Sequence, residues 1–415
     1  MKIIILGAGL VGVTTAYVLA ERGHQVVMLE RNAGPAEETS FANGGQLSYS
    51  DAKPWAAPST AIKLPKWVCG NDSPLVIRPR ADIRMMTWGM RFLYHCNTAS
   101  SRRNCIDLLR LGLYSKEKMQ VIRESSKIEF DFSDQGILHM FTRQSEFEEA
   151  QKHVQFQKHY GCDQRILDAD ETLRIEPSLA HTDREVVGSI HAYLDEIGDP
   201  LLYCQALCQH MQTHMGVEIL YNTTIDDLQR HNDKSIDGVQ TSQGVLTADA
   251  YVSCLGVETP FLLDKHAVRV PIYPMKGYSF TVEANEFSTQ RSIMDTRHKI
   301  VYTRLGSKVR VAGTAELAGY NTDVDERQIA PILDKARRLF PKMDWESGRT
   351  EWACIRPSTP DGPPRIGKTK YHNLFLNTGH GTLGWTQCAG SAYILADIME
   401  GRPPEISSNG PMVRV

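Results

Sequence analysis

Three runs of small residues and one arginine carry the chemistry that this sequence offers. Gly7-Ala8-Gly9-Leu10-Val11-Gly12 follows the G-x-G-x-x-G pattern and falls between a predicted strand and a predicted helix, the context in which the pattern binds a dinucleotide. Gly7 permits the tight turn, Gly9 lets backbone N–H groups approach a pyrophosphate, and Gly12 lets helix and strand pack closely. The phosphate charge then meets the positive end of the helix dipole. Glu30 closes the next strand 18 residues after Gly12. A carboxylate there accepts hydrogen bonds from ribose hydroxyls and repels a 2′-phosphate, which disfavours NADP. A purely structural glycine turn is the alternative.

After Glu30-Arg31 the chain enters Thr39-Ser40-Phe41-Ala42-Asn43-Gly44-Gly45-Gln46. A nicotinamide enzyme would continue into regular βαβ units. This run of small and polar residues instead suits a phosphate and a flat ring, although taken alone it also reads as a surface loop. Near the other end, Asn377-Thr378-Gly379-His380-Gly381-Thr382-Leu383-Gly384-Trp385 again joins a strand to a helix through three glycines. A second helix N-terminus makes sense if the cofactor gains negative charge far from its phosphates, as reduced flavin does. Together the runs favour FAD over NAD. Gly256, which closes another strand, is a further candidate for the cofactor's surroundings. His380, beside two glycines, is expected to contribute backbone more than side-chain chemistry.

The elements that must position these runs are legible in outline. Lys2 to Leu6 and Gln25 to Leu29 read as strands and Leu10 to Glu21 as a helix, giving β-α-β within 30 residues. Helices are predicted over 85–94, 105–123 and 328–340, and strands over 136–142, 217–221 and 248–255. Asp199-Pro200 is an N-cap followed by proline at the first helical position, opening a helix to about residue 215. Between 269 and 315, β-branched and aromatic residues alternate with turn signals, as in an antiparallel sheet. The last strand and helix are expected at 373–377 and 386–399.

Composition narrows the class. The 415 residues are 41% hydrophobic and 23% charged, enough for a sizeable core in two or three domains. A net charge of −3 argues against a nucleic-acid partner and for a small molecule. Nine cysteines without C-x-x-C spacing argue against a disulfide framework and a zinc knuckle and fit a reducing compartment, with no metal. Cys204 and Cys208 read as small buried hydrophobes. No apolar stretch is long enough to span a bilayer, and the N-terminal aliphatic run is too short for a signal peptide. Peripheral attachment would leave little trace in bulk composition.

Through these residues the sequence resembles the D-amino-acid oxidase superfamily of flavoproteins. The likeness rests on the N-terminal glycine run with Glu30, on Ile355-Arg356-Pro357-Ser358-Thr359-Pro360-Asp361-Gly362-Pro363-Pro364-Arg365-Ile366-Gly367, and on 376–386. Within that superfamily it most resembles bacterial D-amino acid dehydrogenases, through Lys53-Pro54-Trp55-Ala56-Ala57-Pro58 and Tyr273-Pro274-Met275-Lys276-Gly277-Tyr278-Ser279.

The resemblance implies an α/β and α+β architecture, an FAD-binding Rossmann-like domain of the DAO (GR2) type with an inserted mixed antiparallel-sheet substrate domain. The expected division assigns 1–80, 196–268 and 350–415 to the FAD-binding domain and 81–195 and 269–349 to the substrate domain. It also implies hydride transfer from Cα of a D-amino acid to flavin N5, giving an imine that water converts to a 2-oxo acid and ammonia. Arg356 matches the family arginine that grips the substrate carboxylate, a role suited to a planar, bidentate cation. Gln46, Tyr278 and Tyr302 are candidates beside the substrate, and Tyr49 for part of a lid, each with packing as the alternative. Electrons are expected to pass to a quinone or respiratory chain, on the cytoplasmic side and peripheral to the inner membrane of a bacterium. The competing functions are oxidation of secondary amines (D-proline, 4-hydroxy-D-proline, sarcosine) and non-catalytic dinucleotide binding.

Overall fold

The computed structural model describes residues 1–50, 53–69, 75–232 and 234–406. The aliphatic runs Lys2–Leu6 and Gln25–Leu29 form neighbouring parallel strands joined by the helix Leu10–Glu21. Ala250–Ser253 lies on the other side of the first strand, followed by Leu374–Thr378, while Glu218–Leu220 borders Gln25–Leu29. Arg365–Lys368 closes one edge antiparallel. Alternation sends Ile3 and Ile5 to one face of this six-stranded sheet and Ile4 and Leu6 to the other, so both faces need cover. Helices containing Val13, Leu207, Met119 and Leu395 supply the first cover. A three-stranded meander (Leu228, Ile236 and Val239) and the segment from Val257 to Ile272 supply the second. The chain leaves Lys2–Leu6 toward Gln25–Leu29 on one side and finds Ala250–Ser253 on the other. The C-terminal ends of these strands therefore form a switch point, where open α/β sheets bind ligands.

The antiparallel sheet expected within 269–315 is present. Tyr273–Glu283 pairs with Lys308–Leu317, which pairs with Ile300–Leu305, which pairs with Ser292–Asp295. The sheet continues through Ile137–Phe141, Gly188–Ala192 and Arg165–Asp168. Helix Glu326–Leu339 lays Ile329, Ile332 and Ala336 onto Val309, Val311 and Phe280. Asp199 accepts from Leu201 N at 2.8 Å and caps the helix Pro200–His214, as its sequence predicts, and Cys204 and Cys208 are buried in the core on that helix.

The pairing draws the boundaries of the two halves differently from the sequence division. Leu75–Ile77 pairs with Lys308–Leu317, and Thr350–Ser358 pairs along its length with Tyr273–Glu283, so both belong to the larger sheet. The helix Thr98–Ser126 belongs instead with the six-stranded sheet. A Cβ on Gly390 would sit 3.0 Å from Ser115 Cα, and Gly390 N donates to Ser115 Oγ at 3.0 Å. That close approach seats the long helix on Gly384–Met399. The helix Gln144–Lys158 and the 225–246 meander, strongly polar in sequence, are additional elements.

Candidate active site

The glycine turn does what its spacing requires. A Cβ on Gly12 would lie 1.9 Å from Gly7 O, so only glycine lets the helix descend onto the turn, and Gly7 itself has φ +97. The helix Leu10–Glu21 starts without a side-chain cap from Gly9 and without an acidic residue in its first turn. Its N-terminus is open to an anion. Glu30 Oε2 accepts from Ala8 N at 2.9 Å, and Oε1 accepts from Asn32 N at 2.9 Å, which fixes the carboxylate at the end of its strand.

From this turn a cavity of about 490 Å³ runs between the two sheets. At one end it is lined by Glu30, Arg31 and Asn32, then by Gly7, Gly9, Leu10 and Val11, with Gly256 opposite. Further along come Ser40, Asn43 and Gly44. This loop is pinned to the larger sheet: Ser279 Oγ donates to Ala42 O at 2.9 Å, Arg310 Nη1 donates to Asn43 O at 3.2 Å, and Gly44 lies against Val301. Ser40 Oγ accepts from Leu10 N at 3.3 Å, tying the loop to the first turn. Gly379, His380, Gly381, Thr382 and Gly384 line the far end, where the helix Gly384–Met399 also begins without a side-chain cap. The His380 imidazole is buried with Nε2 unpartnered, and desolvation pushes its pKa down to about 3, so it is neutral near pH 7. Asn377 Oδ1 is a second orphaned polar atom at the same wall.

Trp352, Cys354 and Arg356 alternate along Thr350–Ser358 and face this end of the cavity. Among the described residues Arg356 has no carboxylate partner, and Nη1 donates weakly to Thr314 O at 3.4 Å. Burial disfavours its charge and pushes the pKa down to about 10, which still leaves a cation at neutral pH. Burial also pushes the Cys354 thiol up, so it adds no negative charge beside the arginine. The guanidinium lies across Gly277, where a Cβ would be 2.2 Å from Arg356 Nη2 and 2.4 Å from Cζ. Gly277 has no positive φ, so its backbone would accept alanine and only the arginine forbids it. Gly277→Ala is therefore expected to push the guanidinium aside, lowering kcat/KM by about tenfold or more while cofactor content stays unchanged. In an Arg356→Leu background the same substitution should cost nothing further, and independent, additive losses would overturn the coupling.

Tyr278 also borders the cavity, but its side chain belongs to the same core as Tyr302, and its hydroxyl donates to Glu316 Oε2 at 2.6 Å. Three other candidates do not reach the cavity. Gln46 Nε2 donates to Ser292 Oγ at 2.7 Å, because the short pair of Gln46–Leu47 with Glu196–Ile197 turns its side chain to the larger sheet. Tyr49 is buried with its hydroxyl donating to Glu196 Oε2 at 3.0 Å, so it is core and not lid. Tyr302 packs against Phe340, ring centroids 5.4 Å apart, on the core side of its strand. Its hydroxyl has no partner. Tyr302→Phe should leave kcat/KM within about twofold and stability equal or higher, because removing an unsatisfied buried hydroxyl relieves a desolvation cost. A large kinetic loss would return Tyr302 to the site. Of the remaining cofactor candidates, Ala8 and Gly12 shape the turn from behind, Gly45 packs on Thr303 and Leu305, and Leu383 lines a smaller adjoining cavity.

Several lining residues escaped the sequence reading. Thr39 donates to Ile355 O at 2.8 Å and locks the loop to the arginine strand. The Phe41 and Trp352 rings lie 4.5 Å apart, tilted by 36°, and Phe261 stands beside the cavity under Arg84 at 4.6 Å. The period-2 alternation of 352, 354 and 356 was the available signal for Trp352 and Cys354. Nothing local marks Phe261, and Thr39, which opens the 39–46 run, carries no local sign of its bond to the arginine strand.

Residues 2–398 match the DAO family model, described as FAD dependent oxidoreductase. The chain is 41% identical over 411 residues to the D-amino acid dehydrogenase of Dechloromonas aromatica, covering 98% of each chain. It is 39% identical over 412 residues to the D-amino acid dehydrogenase of Chromohalobacter salexigens, covering 99% of this chain and 98% of that one. Among solved structures, glycine oxidase from Bacillus cereus ATCC 14579 is similar at TM-score 0.72 and 22% identity over 99% of this chain and 97% of that one. L-proline dehydrogenase from P. horikoshii is similar at TM-score 0.73 and 17% identity, covering 97% and 94%. These two likenesses carry the fold.

Proposed function

The chain belongs to the DAO family of FAD dependent oxidoreductases, and from that premise we propose that it oxidises D-amino acids to 2-oxo acids and ammonia, passing electrons to a quinone or another non-oxygen acceptor. The relatives named D-amino acid dehydrogenase support the reading over nearly the whole length. The observation that carries it is Arg356, a cation without a carboxylate partner among the described residues at the enclosed end of the cavity, with Gly277 left bare to accommodate it. A substrate carboxylate supplies the missing anion and is held by both arms of the fork.

The residues fit FAD: a bare glycine cradle, two uncapped helix N-termini, and orphaned polar atoms on Asn377 and His380. In this reading the six-stranded sheet and its helices form the cofactor-binding part, and the larger sheet forms the substrate part. Glu30 takes the ribose hydroxyls, the N-terminus of Leu10–Glu21 the pyrophosphate, and the turn 379–384 the ring. Bound FAD supplies the two-electron oxidant for conversion of the amine to an imine, which water hydrolyses. Arg356 fixes the amino acid, and the walls from Trp352 and His380 limit water around it.

Neither titratable side chain beside Arg356 serves as a base near neutrality: His380 is held neutral with a pKa near 3, and Cys354 is held as a thiol. The amine must therefore arrive already neutral. We expect kcat/KM to rise with pH by about one log unit per pH unit up to the pKa of the substrate ammonium, with no inflection from His380. A break between pH 6 and 7 assignable to a protein group would overturn this. Anaerobic mixing with D- and L-amino acids tests the whole reading: the yellow enzyme should bleach with D-enantiomers alone and form no peroxide in air. Bleaching only by D-proline, 4-hydroxy-D-proline or sarcosine would move the substrate to secondary amines, and reduction by no amine would sink the enzymatic reading. Transfer to a quinone calls for peripheral contact with the membrane, on the cytoplasmic side. No helix of the described residues is long and apolar enough to cross a membrane.

A further inference from the structure

The exposed apolar surface is gathered in one place. Among the described residues, every large apolar side chain more than 52% exposed lies between residues 62 and 94. On the helix Ile83–His95 these are Ile83, Met86, Met90, Leu93 and Tyr94, each 54–77% exposed, and Ile62 on Pro58–Cys69 adds a sixth at 80%. Positions 83, 86, 90 and 93 repeat every three or four residues and so form one stripe along the helix. The opposite face is ordinary core: Trp88 and Phe92 stack at 5.2 Å, and Trp88 Nε1 donates to Ser358 O at 2.8 Å. The helix is thus anchored from beneath and apolar on top, an arrangement that water alone does not favour.

Charge decides what covers it. Residues 53–110 hold ten Lys and Arg against three Asp and no Glu, in a chain of net charge −3. Acids from outside the stretch pair with two of these, Glu316 with Arg78 and Asp264 with Arg84, each at 3.0 Å, whereas Arg80, Arg91, Arg102 and Arg103 are exposed and carry no ion pair among the described residues. A second copy docked on the same face across a twofold axis would bring this positive field against itself. A bilayer containing anionic lipid complements both features, the stripe entering the interface and the arginines meeting the headgroups. We propose that the outer face of Ile83–His95, with Ile62 and the surrounding arginines, is a docking surface for an anionic membrane.

Its position gives the contact a use. Trp88 and Phe92 roof a small cavity that shares His380, Gly381 and Thr382 with the main one. Docking through this helix holds the ring end of the site, not the ribose end, next to the lipid. That use rests on the proposed transfer to a membrane acceptor; the surface itself does not.

Co-sedimentation of the full-length, FAD-loaded protein with vesicles tests the surface. At low salt, vesicles of equal parts phosphatidylcholine and phosphatidylglycerol should bind it about tenfold or more better than phosphatidylcholine alone, with high salt reversing the gain. The double variant Met86→Glu/Met90→Glu, and separately Arg91→Glu, should lose most of that binding while turnover with a soluble dye acceptor stays unchanged. Val245→Glu, at an exposed apolar position on the meander, should bind like the parent. Absence of vesicle binding, or binding that survives Met86→Glu/Met90→Glu, overturns the surface even if D-amino acid turnover is normal. So does a solution dimer that this variant dissociates while vesicles capture nothing. Vesicle binding by a protein that oxidises no amine would uphold the surface and sink only the chemistry.

Discussion

Arg356→Leu lowers kcat/KM for a D-amino acid by roughly 100- to 1,000-fold, chiefly through KM, and leaves the protein yellow. The size follows from what is lost. A charge-assisted, bidentate pair in an enclosed cavity costs about 3–4 kcal/mol when one partner is truncated, and each 1.4 kcal/mol is about tenfold. The direction in KM follows because Arg356 meets the part of the substrate that does not react. FAD stays because the groups proposed to hold its phosphates and ribose, the 7–12 turn and Glu30, are fixed by bonds of their own, whereas the guanidinium rests on Thr314 and Gly277. Arg356→Lys should recover only part of the loss, since an ammonium keeps the charge without the planar fork. Steady-state kinetics with an absorbance spectrum decide the matter, and kinetics unchanged in the leucine variant would remove Arg356 from the site.

Gly12→Ala should yield a colourless protein. The added Cβ would meet Gly7 O at 1.9 Å and Gly7 C at 3.0 Å. Both are backbone atoms, so no side-chain rotation relieves the clash, and the helix Leu10–Glu21 must lift from the turn. Lifting it moves the open helix N-terminus away from the pyrophosphate and loosens the Ala8 N to Glu30 bond. Overpacking of this kind costs about 1–3 kcal/mol in stability, and the lost phosphate cradle adds a fall in FAD affinity of about 100-fold or more. Fluorescence titration of the apoprotein with FAD measures the affinity, and circular dichroism checks that the fold persists. Stoichiometric FAD in the purified variant, with normal affinity, would mean that the close approach at Gly12 is not what holds the cofactor.

What could be read from the sequence was what the chain settles locally. The 7–12 and 379–384 turns each lie within one strand-turn-helix unit, where the spacing of glycines states the geometry, and Glu30 directly follows the next strand after the first of them. Arg356 came through the family resemblance. Gly277 did not come through, because its need for a bare Cα is set by a side chain on the neighbouring strand, and strand register is invisible in one sequence. The same blindness explains Gln46, Tyr49 and Tyr302. Each sits near the right stretch of chain, yet a strand turns alternate residues away, and which parity faces the cavity depends on partners far off. The domain boundaries moved for a like reason. Thr350–Ser358 looks the same whichever sheet it joins, and only its pairing with Tyr273–Glu283 decides.

The order of strands in the six-stranded sheet has a consequence for biosynthesis. Lys2–Leu6 finds one neighbour almost at once in Gln25–Leu29, but its other neighbour, Ala250–Ser253, is made much later, and Leu374–Thr378 is the last strand among the described residues. A nascent chain therefore carries its phosphate turn from the start without the opposite wall, and contacts so distant in sequence are slow to close. Flavin capture must wait until residue 378 has been made, and a ribosome stalled before residue 374 would hold an unfinished cleft with nothing to clasp.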